Sequence, residues 1–304
     1  EILRCLVGSE MCIRDSDVEV SEAVDYARFY TTAMKKFAAL DDVEMKPKGT
    51  ILVISPWNFP CAIPVGGIVA GLAGGNTVIL KPATVAAPVA WMFAKAFWDA
   101  GVPKEALQVI ITRREALKVL TTAPAIKHII LTGGTDTAQN IAKANPTTPL
   151  SAETGGKNVI ILTASGDRDH AIMNIVTSAF GNAGQKCSAC SLLLVERSVY
   201  EDENFRSKLK DAATSLKTGS VWNAGNIVGP MITNKNDKLL QAFNLEPGES
   251  WLVPPRFIDR REYILAPTVK WGVKPESFSF RTELFGPLLS VACIENLEEG
   301  IRLV

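Results

Sequence analysis

Apolar residues recur at helical spacing through VSEAVDYARFYTTAMKKFAAL (residues 20–40), and Pro47 and Gly49 then punctuate the chain. From TILVIS (50–55) the pattern changes to short, continuous apolar runs separated by segments of helical period. The runs TILVIS, NTVILKP (76–82), LQVII (107–111) and HIILTGG (128–134) read as strands. Helices are predicted near 62–74, over VAAPVAWMFAKAFWDA (85–100, stopped by Gly101 and Pro103), over REALKVLTT (114–122) and from TDTAQNIAKA (135–144). Uninterrupted apolar strands alternating with helices imply a parallel sheet covered on both faces. That is a doubly wound α/β domain, an architecture that binds dinucleotides among other ligands.

Near residue 150 the pattern restarts. LSAETGGKNVIILT (150–163), a helix over DHAIMNIVTSAF (169–180), a cysteine-bearing loop, the strand SLLLVE (191–196) and a polar helix at EDENFRSKLKDAATSL (201–216) predict a second α/β domain. Residues 219–256, rich in Gly, Pro and Asn, are expected to be mostly loop with one helix around NKNDKLLQAF (234–243). The division is therefore 17–149 and 150–304, after a leader of sixteen residues that has neither the apolar core nor the cleavage site of a signal peptide.

Composition narrows the function. The 304 residues are 47% hydrophobic, enough for two buried cores. Thirty-two acidic and thirty-two basic residues cancel, and without long basic runs the chain has no electrostatic footprint for nucleic acid or an acidic membrane. No apolar run reaches the roughly 18 residues needed to span a bilayer.

Six cysteines in a chain of this length are too sparse for a secreted disulfide scaffold, and a reducing, cytoplasmic setting is expected. Cys187 and Cys190 form one CxxC, but a zinc site needs four ligands and the only histidines, His128 and His170, stand at unrelated spacings, so no metal is expected. Cys187 thus reads either as a nucleophile, which needs access and an activated thiolate, or as a small buried residue in a tight helix-to-strand turn. The small neighbours Gly184, Ser188 and Ala189 suit both.

Five stretches decide between them: SPWNFP (55–60), VILKPA (78–83), ETGGKN (153–158), FGNAGQKC (180–187) and ELFGP (283–287). In order and spacing they resemble the aldehyde dehydrogenase superfamily from about residue 17 onward. The resemblance implies a cofactor domain with a doubly wound parallel sheet, a second α/β catalytic domain, and NAD, or alternatively NADP, as cofactor. It implies Cys187 as the nucleophile toward an aldehyde, Asn58 as a donor to the oxygen that becomes negative, and Glu153 as the base that activates water against the thioester. It assigns Lys81 to the adenosine ribose, Gly133 and Gly134 of LTGGTDTA (131–138) to the pyrophosphate at a helix N-terminus, Glu283 to the nicotinamide ribose with Phe285 beside the ring, and Pro56 and Trp57 to the cofactor as well. The sequence departs from the family pattern at Gly134 and Ala138, where the family has serine and glycine, and at Thr84, where many relatives carry a glutamate. Without the resemblance each residue has a plainer reading: Asn58 as a turn residue, Glu153 as a partner for loop amides, Lys81 as an exposed strand end, Glu283 as part of an ordinary turn.

QKCSACS, with Ser188 beside the nucleophile and assigned to substrate, and the segment from Pro267 to Val304 are most similar to the 1-pyrroline-5-carboxylate dehydrogenases. The implied partners are a small aldehyde, L-glutamate 5-semialdehyde, and either further copies of the same protein or a bifunctional proline-catabolic enzyme that contains this chain. Succinate-semialdehyde and general aldehyde dehydrogenases are the alternatives within the family; a thiol-dependent transferase or redox protein and a catalytically silent relative are the alternatives outside that activity. The resemblance also implies a fragment truncated at both ends, inactive or poorly stable by itself, with residues 1–16 foreign to the family.

Overall fold

Ten strands form two five-stranded sheets, each built from its own stretch of the chain, and two short strands pair separately. The computed structural model describes residues 13–233, 235–261 and 263–304, and they form two units, Arg14–Gly155 and Gly156–Val304.

The first unit opens with α1 (Ile13–Ala38), followed by β1 (Thr50–Ile54), α2 (Ala62–Ala73), β2 (Thr77–Lys81), α3 (Ala87–Asp99), β3 (Leu107–Val109), α4 (Leu117–Thr121), β4 (Ile126–Thr132), α5 (Thr135–Ala144) and β5 (Leu150–Glu153). The strands make one parallel sheet in the order β3-β2-β1-β4-β5. The two-residue alternation of β1 explains how it is covered. Ile51 and Val53 pack into the core that contains Ile68 and Phe93 of α2 and α3, while Leu52 and Ile54 face the opposite core with Ile129 and Ile141. Each fully buried aliphatic side chain of this kind contributes roughly 1.5–3 kcal/mol. Helix α2 lies very close to the sheet: a Cβ at Gly71 would come within 2.7 Å of Val78 Cγ2.

Two boundaries differ from those read in the sequence. Leu150–Glu153, assigned there to the second domain, is the edge strand of the first sheet, paired in parallel with β4 from Ile129↔Leu150 to Thr132↔Glu153; the division falls in the following glycine pair, between Gly155 and Gly156. Helix α1 already runs from Ile13, within the expected leader, and Ser16 is fully buried. Residues 1–12 of that leader lie outside the described residues.

The second unit contains β6 (Val159–Leu162), α6 (Arg168–Phe180), β7 (Leu192–Glu196), α7 (Arg197–Tyr200), α8 (Glu203–Ser215), α9 (Asp237–Gln241), β8 (Ser250–Val253), β9 (Phe257–Asp259), β10 (Ile264–Leu265), β11 (Thr268–Trp271), α10 (Phe278–Arg281), β12 (Leu288–Ile294) and α11 (Leu297–Leu303). Its sheet runs β6-β7-β12-β11-β8, parallel except for β8. Strand β8 lies in the stretch expected to be mostly loop; its residues SWLV gain their extended form from pairing with β11, a partner distant in sequence. Lys270 on β11 is completely buried and is matched by Glu249 at 2.9 Å, whose side chain is equally enclosed. Among the described residues no helix is long and apolar enough to cross a membrane.

Candidate active site

In the first unit the strand order places a topological switch between β1 and β4: the chain leaves β1 toward β2 on one side and returns at β4 on the other. Connections that diverge in this way open a crevice at the carboxyl ends of the strands. Four of the sequence-nominated stretches emerge there. Ile54 is level with Lys81 and with Leu131 in the sheet register, and Thr132 is level with Glu153. Pro56, Trp57 and Asn58 therefore follow the end of β1, Lys81 ends β2, Gly133 and Gly134 follow β4, and Glu153 ends β5. Asn58 is buried, Pro56 and Trp57 are half-buried and Glu153 is exposed. Gly133 donates its amide to the Glu153 carbonyl at 3.0 Å, tying the ends of β4 and β5 together. Partial burial lowers the proton affinity of the Lys81 amine.

The residues around α5 fit the phosphate and base of a dinucleotide. Gly134 is the N-cap of α5 in extended conformation with no side-chain cap, and a Cβ built on it would meet nothing within 4 Å. There is thus open space beside Gly134 at the amino end of α5, and a helix amino end is where anions are received. Beside it, a cavity of about 180 Å³ lies between α4 and α5, lined by Leu117 and Thr121 from one helix and Thr137, Asn140, Ile141 and Ala144 from the other. Sequence reasoning missed this pocket, although the spacing 137, 140, 141, 144 on one helix face was the available signal.

In the second unit the nominated residues lie at the opposite, amino ends of the strands. Cys187 and Ser188 are exposed in the loop before β7, and Glu283 and Phe285 are half-buried in the turn before β12. The cysteine loop is held from several sides. Asn158, just before β6, donates its amide to the carbonyl of Cys187 and to that of Ala189 at 3.2 Å. Gln185, almost fully buried, accepts from the Ile232 amide at 2.8 Å and donates to the Asn182 carbonyl at 3.3 Å. Asn182 and Ala183 are both in the left-handed region, with φ of 51° and 52°. Gly184 follows at φ 68°, and a Cβ there would sit 2.4 Å from the Gly286 carbonyl oxygen, so the cysteine loop and the Glu283 turn touch backbone to backbone.

Cys187 and Cys190 are free thiols of different kinds. Cys190 is buried, its amide held by Ser178 Oγ at 3.0 Å, and burial pushes its thiol up to about 11. The Glu283 carboxylate accepts from the Gly156 amide at 3.3 Å. Next along the chain, the Lys157 amine is shielded from solvent with no hydrogen-bond partner among the described residues, and burial pulls it down to about 7. Asn158, Gln185 and Lys157 all fall in or beside the quoted motifs, yet nothing in residue type alone marks an asparagine or glutamine as a clamp on a backbone carbonyl.

The profile of the aldehyde dehydrogenase family matches residues 7–304, beginning inside the sixteen residues expected to be foreign to it. A 1-pyrroline-5-carboxylate dehydrogenase of Geobacillus kaustophilus is 32% identical over 311 aligned residues that cover 95% of this chain. The chain spans 60% of the length of that relative. Among solved structures, Proline Utilization A from Corynebacterium freiburgense superposes with a TM-score of 0.93 at 35% identity, over 99% of this chain and 32% of its own. A 1-pyrroline-5-carboxylate dehydrogenase from Thermus with bound NAD gives 0.91 at 29% identity, over 100% of this chain and 63% of its own. With the motifs, the strand orders and a profile that matches nearly every residue in agreement, the chain belongs to the aldehyde dehydrogenase family.

Proposed function

We propose that the protein carrying this chain oxidises an aldehyde to a carboxylate with NAD, or with NADP as the alternative, and that its substrate is L-glutamate 5-semialdehyde. The observation that carries the reading is the row of nominated groups at one carboxyl edge, Lys81, the Asn58 loop, Gly133–Gly134 and Glu153, at the switch point of a doubly wound sheet. The substrate follows from similarity to proteins named 1-pyrroline-5-carboxylate dehydrogenase.

In this mechanism the Cys187 thiolate adds to the aldehyde carbon, and the Asn58 amide donates to the oxygen that becomes negative. The nicotinamide cofactor, when bound, supplies the hydride acceptor. Loss of hydride from carbon leaves a thioester on Cys187, and Glu153 takes a proton from the water that cleaves it, releasing carboxylate and free thiol. Gly134 at the amino end of α5 would take the pyrophosphate, Lys81 the adenosine ribose and the pocket between α4 and α5 the base, while Pro56 and Trp57 would border the cofactor. Glu283 would hold the nicotinamide ribose with Phe285 beside the ring, and Ser188 would meet the substrate. The natural protein works as a homo-oligomer or as part of a bifunctional proline-catabolic enzyme in the cytoplasm; similarity to Proline Utilization A supports the second form.

The test is the appearance of reduced cofactor when the natural protein is given glutamate semialdehyde, succinate semialdehyde or a short aliphatic aldehyde, each with NAD and with NADP. Highest kcat/KM on glutamate semialdehyde with NAD is expected. Preference for the aliphatic aldehyde sinks the substrate assignment, and no turnover of any aldehyde by folded protein sinks the oxidation itself.

A further inference from the structure

We infer that Asn236 is a positioning residue for the turn that carries Glu283, gripping it through one side-chain amide while capping a neighbouring helix with the other half of the same group. Its Oδ1 accepts from the Leu239 amide at 3.1 Å, the N-cap bond of α9. Its Nδ2 points the other way and donates to the Leu284 carbonyl at 2.7 Å, with the Phe285 carbonyl at 3.5 Å. The two acceptors are the consecutive carbonyls that follow Glu283.

The turn needs such a hold. Phe285 has φ of 50°, a left-handed conformation that a bulky residue keeps only where its surroundings over-determine it. The grip is continued on either side: Leu239 of α9 closes over Gly286, whose added Cβ would lie 2.7 Å from Leu239 Cδ2, and Gly286 backs onto Gly184 of the cysteine loop. Helix α9 is thus a small platform, anchored by Asn236, against which residues 284–286 are set. Glu283 leaves this fixed turn toward the Gly156 amide. A carboxylate on a released turn would sample other positions, and a ligand would have to select the competent one, which weakens apparent affinity by the fraction populated.

The consequence for cofactor rests on the reading of Glu283 proposed above; the geometry of the turn stands without it. Two variants separate the halves of the side chain. Asn236→Asp keeps a good N-cap acceptor for Leu239 and removes the donor to Leu284, whereas Asn236→Ala removes both. In the natural protein, the Asp variant is expected to melt close to wild type while hydrogen exchange at Leu288, whose amide donates to the Gly286 carbonyl, accelerates and the Gly156 amide resonance shifts. In the natural protein the same variant is expected to raise the cofactor KM about three- to tenfold, the weight of one hydrogen bond, with kcat held within about twofold. Exchange and resonance as in wild type for the Asp variant, with only the Ala variant destabilised, make Asn236 an ordinary helix cap and overturn the inference. A loosened turn with unchanged cofactor KM supports the positioning and instead removes Glu283 from the proposed reaction.

Discussion

Replacing Lys157 with methionine should stabilise the second unit near neutral pH and erase a pH dependence. The amine is enclosed and has no hydrogen-bond partner among the described residues, although the stem and backbone are partly exposed. Burial is the dominant influence and pulls it from about 10.5 to about 7, against opposing pulls from Cys190 and Glu283. The sign follows from proton counts. Below about pH 7 both native and unfolded amines are charged, so the full burial penalty is present. Above it the native amine is neutral while the unfolded one stays charged until about pH 10.5, so stability rises with pH by about 1.4 kcal/mol per unit. The whole span corresponds to about 4–5 kcal/mol as an upper bound, and relaxation and water entry around a buried charge reduce it to a few kcal/mol. The groups of this unit that burial raises, the thiols of Cys190 (about 11) and Cys293 and the phenol of Tyr200 (about 12), oppose the trend only from the ordinary thiol range upward, so pH 7 to 8.5 is the clean window. Across it wild type should gain about 2 kcal/mol and Lys157→Met almost nothing. Urea unfolding followed by hydrogen exchange of peptides from residues 156–304 reads the second unit alone. Equal slopes in the two proteins, or a methionine variant less stable than wild type at pH 7, would refute the claim that this amine is buried without compensation.

Glu19→Ala should cost the first unit about 1–3 kcal/mol, because its Oε1 accepts the Cys61 and Ala62 amides at 2.7 and 3.0 Å and those donors at the start of α2 are buried. Burial raises Glu19 to about 7, so wild-type stability of that unit should fall between about pH 4.5 and 7, where the unfolded carboxyl is ionised and the native one is not; thermal melts across that range lacking the decline would contradict it. Gly184→Ala should cost more than about 2 kcal/mol, from a positive φ and a Cβ 2.4 Å from the Gly286 oxygen, and a melting temperature near wild type would show that the two turns can part. Iodoacetamide should label exposed Cys187 far faster than buried Cys190, as mass spectrometry of timed digests will show, and Cys187→Ala in the natural protein should abolish turnover while cofactor binding survives.

Strands β1 to β4 of the first sheet were legible because they carry apolar runs and the helices between them a clear period; TDTAQNIAKA is the helix predicted, residue for residue. Illegible pieces were those whose conformation depends on a distant partner. Leu150–Glu153 has one intermediate and three exposed residues, and nothing apolar marks it as belonging to β4 rather than to the strand that follows it. The strand Ser250–Val253 needed β11, and α1 began at Ile13 although the fifteenth and earlier residues offer no strong period. At the candidate site, glutamate, cysteine and glycine were nominated because motifs contain them. The amides that brace them, Asn158, Gln185 and Asn236, bond to backbone atoms, and a backbone carbonyl looks the same in every sequence.

Backbone strain carries information that the sequence also concealed. Among the described residues, four other than glycine have positive φ: Asn182, Ala183, Tyr263 and Phe285. Tyr263 lies in the connection between the paired strands β9 and β10, where a left-handed residue closes a tight hairpin and needs no further account. The other three have no hairpin to close. They occupy the turn before Cys187 and the turn after Glu283, which meet at Gly184 and Gly286, and each costs on the order of 1–3 kcal/mol that the surrounding packing must offset. Alanine and phenylalanine are poor choices for that conformation if stability alone decides. Their presence in two interlocked turns, each braced by a buried or half-buried amide side chain, fits the proposed function, in which the direction of the Cys187 thiol and of the Glu283 carboxylate matters more than the ease of folding.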